Sequence, residues 1–183
     1  NQRGKMKGLI AAIVAASVIA FSGAAAQVPG DLTGSGAGLD IPDPGSAYSS
    51  ILIFETAVIS DVAIRIGGLS HTWAGDLIGT LHYQDLAGTF FTSFTLFDRA
   101  GGSADLSGDY LFGSRYSGSP WSSHEVFVDL SAMVGLSTQG VYTLQLEDTF
   151  SGDSGTFESW EIGLTTAGGE VVPEPATILL LST

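Results

Sequence analysis

The sequence predicts an all-β domain, a sandwich or jelly roll of about eight short strands. Three observations carry this. Apolar and β-branched residues alternate with polar ones at a period of two along several segments. Turns rich in Gly, Asp and Ser separate those segments. After residue 27, no stretch carries a helical apolar period except the run at the C-terminal end.

The first strand candidate is Ser50 to Ala57. In the second, Ile59 to Ile66, the residues Val62, Ile64 and Ile66 alternate with Asp61, Ala63 and Arg65. Leu77 to Tyr83 and Phe90 to Phe97 follow, then a short segment from Tyr110 to Phe112. Glu125 to Leu130 puts Val126, Val128 and Leu130 on one face. Val141 to Glu147 turns Tyr142, Leu144 and Leu146 inward, and Phe157 to Thr165 does the same with Trp160, Ile162 and Leu164. Alternation of this kind marks strands with one buried face.

The chain has 183 residues, a net charge of −13 and a mean hydropathy of +0.32, a high value for so acidic a protein. The ends account for it. Arg3, Lys5 and Lys7 precede an apolar run from Leu9 to Phe21, which closes in Ser22-Gly23-Ala24-Ala25-Ala26. A basic start, an apolar centre and small residues before a cut are the parts of a secretory signal peptide. Met6 is the natural start, and cleavage is expected after Ala26, with Ala24 and Ala26 at the cut and Gln27 becoming the first residue. The alternative, a membrane-anchor helix, is disfavoured because the run is short for a bilayer core of about 30 Å. Beyond residue 26 the only cations are Arg65, Arg99 and Arg115, against all 19 acidic residues, so the exported part carries −16. That balance excludes a surface that tracks nucleic-acid phosphates. With no cysteine, disulfides and thiolate metal sites are excluded as well.

Residues 1–26 are therefore read as the signal peptide and 27–38, rich in Gly, Pro and small polar residues, as a flexible leader. Residues 39–166 form the folded domain, and 167–183 a linker and C-terminal signal. In that last segment Val172-Pro173-Glu174-Pro175-Ala176-Thr177 precedes an apolar run. This closely resembles the PEP-CTERM sorting signal of Gram-negative exported proteins. In that family Pro173, Glu174 and Pro175 would be the core of a motif followed by a membrane-spanning helix and a basic tail, processed by an exosortase. Here the apolar run stops at Thr183 without a basic tail, so the signal is expected to be truncated. The resemblance implies transient membrane anchoring through the C-terminus, the export machinery and an exosortase as partners, and a secreted or outer-surface location.

Three segments carry a second resemblance. They are Ile41-Pro42-Asp43 with Ile59-Ser60-Asp61-Val62, then Leu69-Ser70-His71-Thr72-Trp73-Ala74-Gly75-Asp76-Leu77, then Gly140-Val141-Tyr142 with Asp148-Thr149 and Gly152-Asp153-Ser154-Gly155-Thr156 and Ser159-Trp160. Together these are similar to the P domain (P/Homo B domain) that follows the catalytic domain of subtilisin-like proprotein convertases and many bacterial proteases. The resemblance spans Leu39 to Thr166 and implies a jelly-roll, galactose-binding-like sandwich. Gly79-Thr80 and the segment Ser114 to Ser123 depart from the family pattern.

Catalysis is not expected. His71, His82 and His124 occur with many serines and aspartates, but no Gly-x-Ser-x-Gly elbow is present and the P-domain-like region leaves no room for a protease domain. A serine endopeptidase label would be inherited from the proteins that usually carry this domain. Glu147 and Asp148 are adjacent on a strand and so point to opposite faces. His71 and Thr72 are expected to hydrogen-bond the turn that contains Gly75-Asp76, Trp160 to be core, and Gly152 and Gly155 to supply positive φ. Calcium is the expected cofactor. Asp61, Asp76, Asp109, Asp148 and Asp153 lie in or beside turns, where free carbonyls could complete an oxygen shell, against the alternative of a solvated acidic surface. Some members of the family bind calcium, which adds to this. Trp73, Tyr116 and Trp121 fall in expected loops and are candidates for sugar stacking, unless they plug the end of the sandwich.

The expected function is thus a non-catalytic exported module for interaction or structural support at the cell surface or in extracellular matrix. One rival is an accessory domain acting with a subtilisin-like protease. The other is a carbohydrate-binding module directed at exopolysaccharide.

Overall fold

The computed structural model describes residues 27–168. The signal-peptide residues Ala24 and Ala26, the sorting residues Pro173, Glu174 and Pro175, and the C-terminal apolar run lie outside the described residues. The strands are β1 (Leu32–Ile41), β2 (Gly45–Ile53), β3 (Ile59–His71), β4 (Leu77–Asp85), β5 (Phe91–Asp98), β6 (Leu106–Gly113), β7 (Glu125–Phe127), β8 (Gly140–Asp148) and β9 (Gly155–Thr166). Two single 3₁₀ turns, Ala74–Asp76 and Ser131–Met133, are the only helical elements among the described residues. None is long and apolar enough to cross a membrane.

The strands form a five-stranded sheet in the order β1-β9-β3-β6-β7 and a four-stranded sheet in the order β2-β8-β4-β5. Neighbours are antiparallel except for the short parallel pair β6–β7. The chain passes back and forth between the sheets, so that first and last strands pair and strands distant in sequence become neighbours. This is the jelly-roll form of a β-sandwich, as the sequence led one to expect. The inner faces hold the alternating residues named above. Val62, Ile64 and Ile66 from β3, Tyr142, Leu144 and Leu146 from β8, and Trp160, Ile162 and Leu164 from β9 are all buried in one core.

Four expectations need correction. The segment 27–38 is not a leader throughout, because Leu32 to Gly38 belongs to β1 and pairs along β9 from Leu32↔Leu164 to Ile41↔Gly155. The strand expected at Ser50 to Ala57 runs from Gly45 to Ile53, and that at Glu125 to Leu130 is only three residues long. Gly152 does adopt positive φ, at 116°, but Gly155 lies in extended β9. Its lack of a side chain serves packing: a Cβ there would sit 2.3 Å from His71 Cδ2.

Candidate functional site

The motif segments meet at one end of the sandwich. β3 ends at His71, the chain turns through Thr72 and Trp73 into the 3₁₀ turn, and β4 starts at Leu77. From the far side of the sequence, β8 delivers Asp148 and the β8–β9 loop delivers Thr149, Asp153 and Ser154 to the same place. Thr149 donates both its N–H and its Oγ1–H to the Asp76 carbonyl, each at 2.9 Å. Thr72 Oγ1 donates to Asp153 Oδ1 at 2.9 Å and accepts the Ser154 N–H at 3.2 Å. Segments some 75 residues apart are thereby tied by their polar groups, which fits the expected structural role of His71 and Thr72 in this turn.

His71 is the centre of this arrangement. Its side chain and that of Asp148 are both fully buried, with Nε2 facing Asp148 Oδ2 at 3.2 Å. Nδ1 lies 3.1 Å from the Trp73 N–H and 2.9 Å from the Trp73 carbonyl. With the ring proton on Nε2, the Nε2–H donates to the carboxylate and Nδ1 accepts the Trp73 N–H. The other Asp148 oxygen accepts the Phe150 N–H at 3.1 Å. Both faces of this pair are thus occupied by the fold, and no substrate-facing atom is left on it.

The five aspartates expected to hold calcium are not brought together. Asp61 pairs with Arg115, and Asp109 pairs with the buried Arg65 at 2.6 Å while accepting the Gly68 N–H at 2.8 Å. Burial raises the Asp109 carboxyl, but the Arg65 bond and charge and the Gly68 N–H outweigh it and hold it below the usual 3.8. Only Asp76, Asp148 and Asp153 converge, and Asp148 is committed to His71. Among the described residues no group of three or more His, Asp or Glu side chains is arranged to hold a metal ion. The five aspartates thus do not form one site: Asp61 and Asp109 pair with arginines, Asp148 faces His71, and Asp76 lies beside Asp153.

Asp76 is the one under electrostatic stress. Its carboxyl is pushed above 3.8 by burial first, then by the negative charges of Asp148 and Asp153, with His71 acting in the opposite direction. Its protonated form can donate to Asp153. A carboxyl whose folded-state pKa is raised stabilises the fold fully below pH 3.8, and that contribution is lost as pH rises through the folded value. Asp76→Asn keeps an N–H for Asp153 and cannot ionise. It is expected to melt above the wild type at neutral pH and to converge with it in acid, followed by circular dichroism across pH. Coincident curves at neutrality would refute this. Calcium that raised wild-type melting but not that of the variant would show a cation standing in for the shared proton.

The loop aromatics divide. Trp121 is a wedge, not an exposed platform. It packs edge-on against Phe97 and Tyr110 at centroid distances of 4.7 and 5.1 Å, and its Nε1–H donates to the Ala100 carbonyl at 2.6 Å. Tyr116 is half-buried beside Gly113 and Ala63, away from the His71 end, and burial raises its phenol pKa. Trp73 alone remains exposed. The three do not form a stacking surface, and the plugging alternative holds for Trp121.

A different surface carries exposed aromatics. On the outer face of the four-stranded sheet, the register aligns Tyr48↔Gln145↔Thr80↔Thr95, then Ser50↔Thr143↔His82↔Ser93, then Leu52↔Val141↔Gln84↔Phe91. A shallow concavity there is lined by Tyr48, His82, Phe91, Thr143 and Gln145. Tyr48 and Phe91 are 57% and 62% exposed, which on a strand means that neither ring packs into the fold. The signal for these residues was present in the sequence. Tyr48 stands at an outward position between Ser46 and Ser50, and Phe91 at one in step with Ser93. An aromatic ring on the polar phase of an alternating strand has no core to fill, whereas attention to loops passes it over.

The chain matches no family model and no curated protein. Among solved structures, two match at low identity. The crystal structure of the Aeromonas sobria serine protease in complex with the chaperone ORF2 is 15% identical, with a TM-score of 0.43, covering 74% of this chain and 27% of that one. A structure of the infectious bursal disease virus Gx strain is 10% identical, with a TM-score of 0.35, covering 78% of this chain and 32% of that one. The chain thus spans about a third or less of each.

Proposed function

We propose that the chain is an exported, non-catalytic β-sandwich module that acts by interaction or structural support at the outer surface, or in the extracellular matrix, of a Gram-negative bacterium. The observation that carries this reading is the state of His71. The acid–base pair it makes with Asp148 is sealed on every polar atom and serves as a clasp between β3 and β8. Export rests on the basic, apolar and small-residue pattern of residues 1–26, and surface sorting on Pro173-Glu174-Pro175.

Expressed with its own residues 1–26 in a Gram-negative host, the chain is expected to leave the cytoplasm with Gln27 as its first residue, read by intact-mass spectrometry. The purified product is expected to hydrolyse neither casein nor glucans. Turnover that His71→Gln abolished would overturn the non-catalytic reading. A second reading, an accessory P domain beside a subtilisin-like protease, is favoured by the convergence of the Leu69–Leu77 and Asp148–Thr156 motifs on one clasp. Under it, such a protease would co-purify with the exported chain.

A further inference from the structure

We infer that the outer face of the β2-β8-β4-β5 sheet is a binding platform for an uncharged polysaccharide, an inference that rests on the non-catalytic module reading and names its ligand.

Gln145 Oε1 accepts the His82 Nε2–H at 2.9 Å, so Nδ1 of the neutral ring accepts the Ser93 hydroxyl at 2.7 Å. Gln145 Nε2 in turn donates to Ser46 and Glu147, both at 3.3 Å. This chain crosses all four strands and locks the imidazole in place. Phe91 stacks on that ring at 5.7 Å with only 19° between the planes. An exposed Phe held by a hydrogen-bonded neighbour is a preorganised apolar plate, and such a plate loses little freedom when it is covered. Tyr48 provides a second plate on the opposite edge strand. Between them lie the Ser50–Thr143 hydroxyl pair at 2.8 Å, which can both donate and accept, and the Gln145 amide oxygen, which keeps a second acceptor site.

Two aromatic plates flanking a band of hydroxyl and amide groups match the two kinds of surface on a pyranose, apolar C–H faces and a polar rim. β2 to β5 is three strand spacings, roughly 14 Å, the span of an oligosaccharide rather than of a single sugar. Among the described residues the face carries no cation: Arg65 pairs with Asp109 and Glu161 on the other sheet, Arg115, in the turn after β6, pairs with Asp61 of that sheet, and Arg99 pairs with Asp98 at the end of β5. Glu147 borders it. With −16 on the exported part, an anionic polymer is repelled, so the ligand is a neutral glycan.

The test is affinity electrophoresis of the purified full chain in gels containing dextran, amylose, hydroxyethylcellulose or mixed-linkage β-glucan, with alginate as the anionic control. Retardation by at least one neutral polymer and none by alginate is expected. Tyr48→Ala and Phe91→Ala should each weaken it about tenfold while melting stays unchanged, because both rings are exposed. His82→Ala should weaken it less, by freeing Phe91. Failure of all four neutral polymers to retard the chain overturns the inference, as does retardation that survives the double variant Tyr48→Ala/Phe91→Ala. A concentration-dependent dimer lost in that variant would assign the face to a second copy and overturn it too. Release of reducing sugar from a retarding glucan would instead overturn the non-catalytic reading, with the platform standing.

Discussion

Replacing His71 with alanine is expected to destabilise the fold by about 3–5 kcal/mol, the range for leaving a buried carboxylate without its partner. Asp148 has no solvent-exposed side-chain surface, so its carboxylate cannot turn to water once the imidazole is gone. It would keep only the Phe150 N–H. The Trp73 N–H would also lose its partner, opening the turn that positions Gly75 and Asp76. For a domain of this size the loss corresponds to a drop of roughly 6–20 °C in Tm. Asp148→Asn should cost less, about 1–3 kcal/mol, because it strands no charge but its single amide oxygen cannot accept from both His71 and the Phe150 N–H. The double variant His71→Ala/Asp148→Ala should cost less than the sum of its single changes, since it removes the stranded charge along with its partner. Urea unfolding of the wild type, His71→Ala, Asp148→Ala, their double variant and Asp148→Asn measures this. A His71→Ala cost below about 1 kcal/mol would mean that Asp148 finds another partner, and the clasp would not be what joins the motif segments.

The elements legible in the sequence were those whose buried face is built from large residues. β3, β4, β5, β8 and β9 each show a run of Val, Ile, Leu or an aromatic residue at every second position, and each lies where it was expected to within a few residues. β1 was illegible for a physical reason. Its residues, Leu32-Thr33-Gly34-Ser35-Gly36-Ala37-Gly38, read as a linker, yet they alternate in burial as any edge strand does. The alternation is written in glycines because Ile51 of the opposite sheet and Trp160 of the paired strand leave no room for more. A Cβ at Gly34 would lie 2.5 Å from Ile51 Cγ2, and one at Gly36 would lie 2.1 Å from Trp160 Nε1. Composition cannot distinguish a glycine that loosens a chain from one that lets two sheets close. The candidate sites show the same division. His71 and its turn were legible from local residue types, but the pairing of Asp61 with Arg115 and of Asp109 with Arg65 depends on strand order, which one sequence does not display. The β2-β8-β4-β5 platform depends on it entirely, since its residues come from four separate strands.

Trp160→Ala should be the most damaging change in the core, at about 3–5 kcal/mol. The indole is fully buried in β9 between the two sheets, and its removal would leave a cavity that neighbouring strands, held by their ladders, cannot close. A feature of its surroundings makes a sharper test possible. The Trp160 Nε1–H is buried with no hydrogen-bond acceptor, which leaves a desolvation cost of about 1–3 kcal/mol built into the native state. Gly36 is the residue pressed against that atom. Trp160→Phe keeps most of the apolar contact and deletes the unpaired donor, so it is expected to cost well under half as much as Trp160→Ala. Gly36→Ala in the wild type should destabilise by about 1–3 kcal/mol, through forced displacement of the indole. Placed together with Trp160→Phe, the same alanine meets space where Nε1 used to be, so the double variant should be more stable than the sum of its parts predicts. Strictly additive costs would show that the glycine answers to the backbone and not to the tryptophan, and that β1 is held close to the core by something other than this contact.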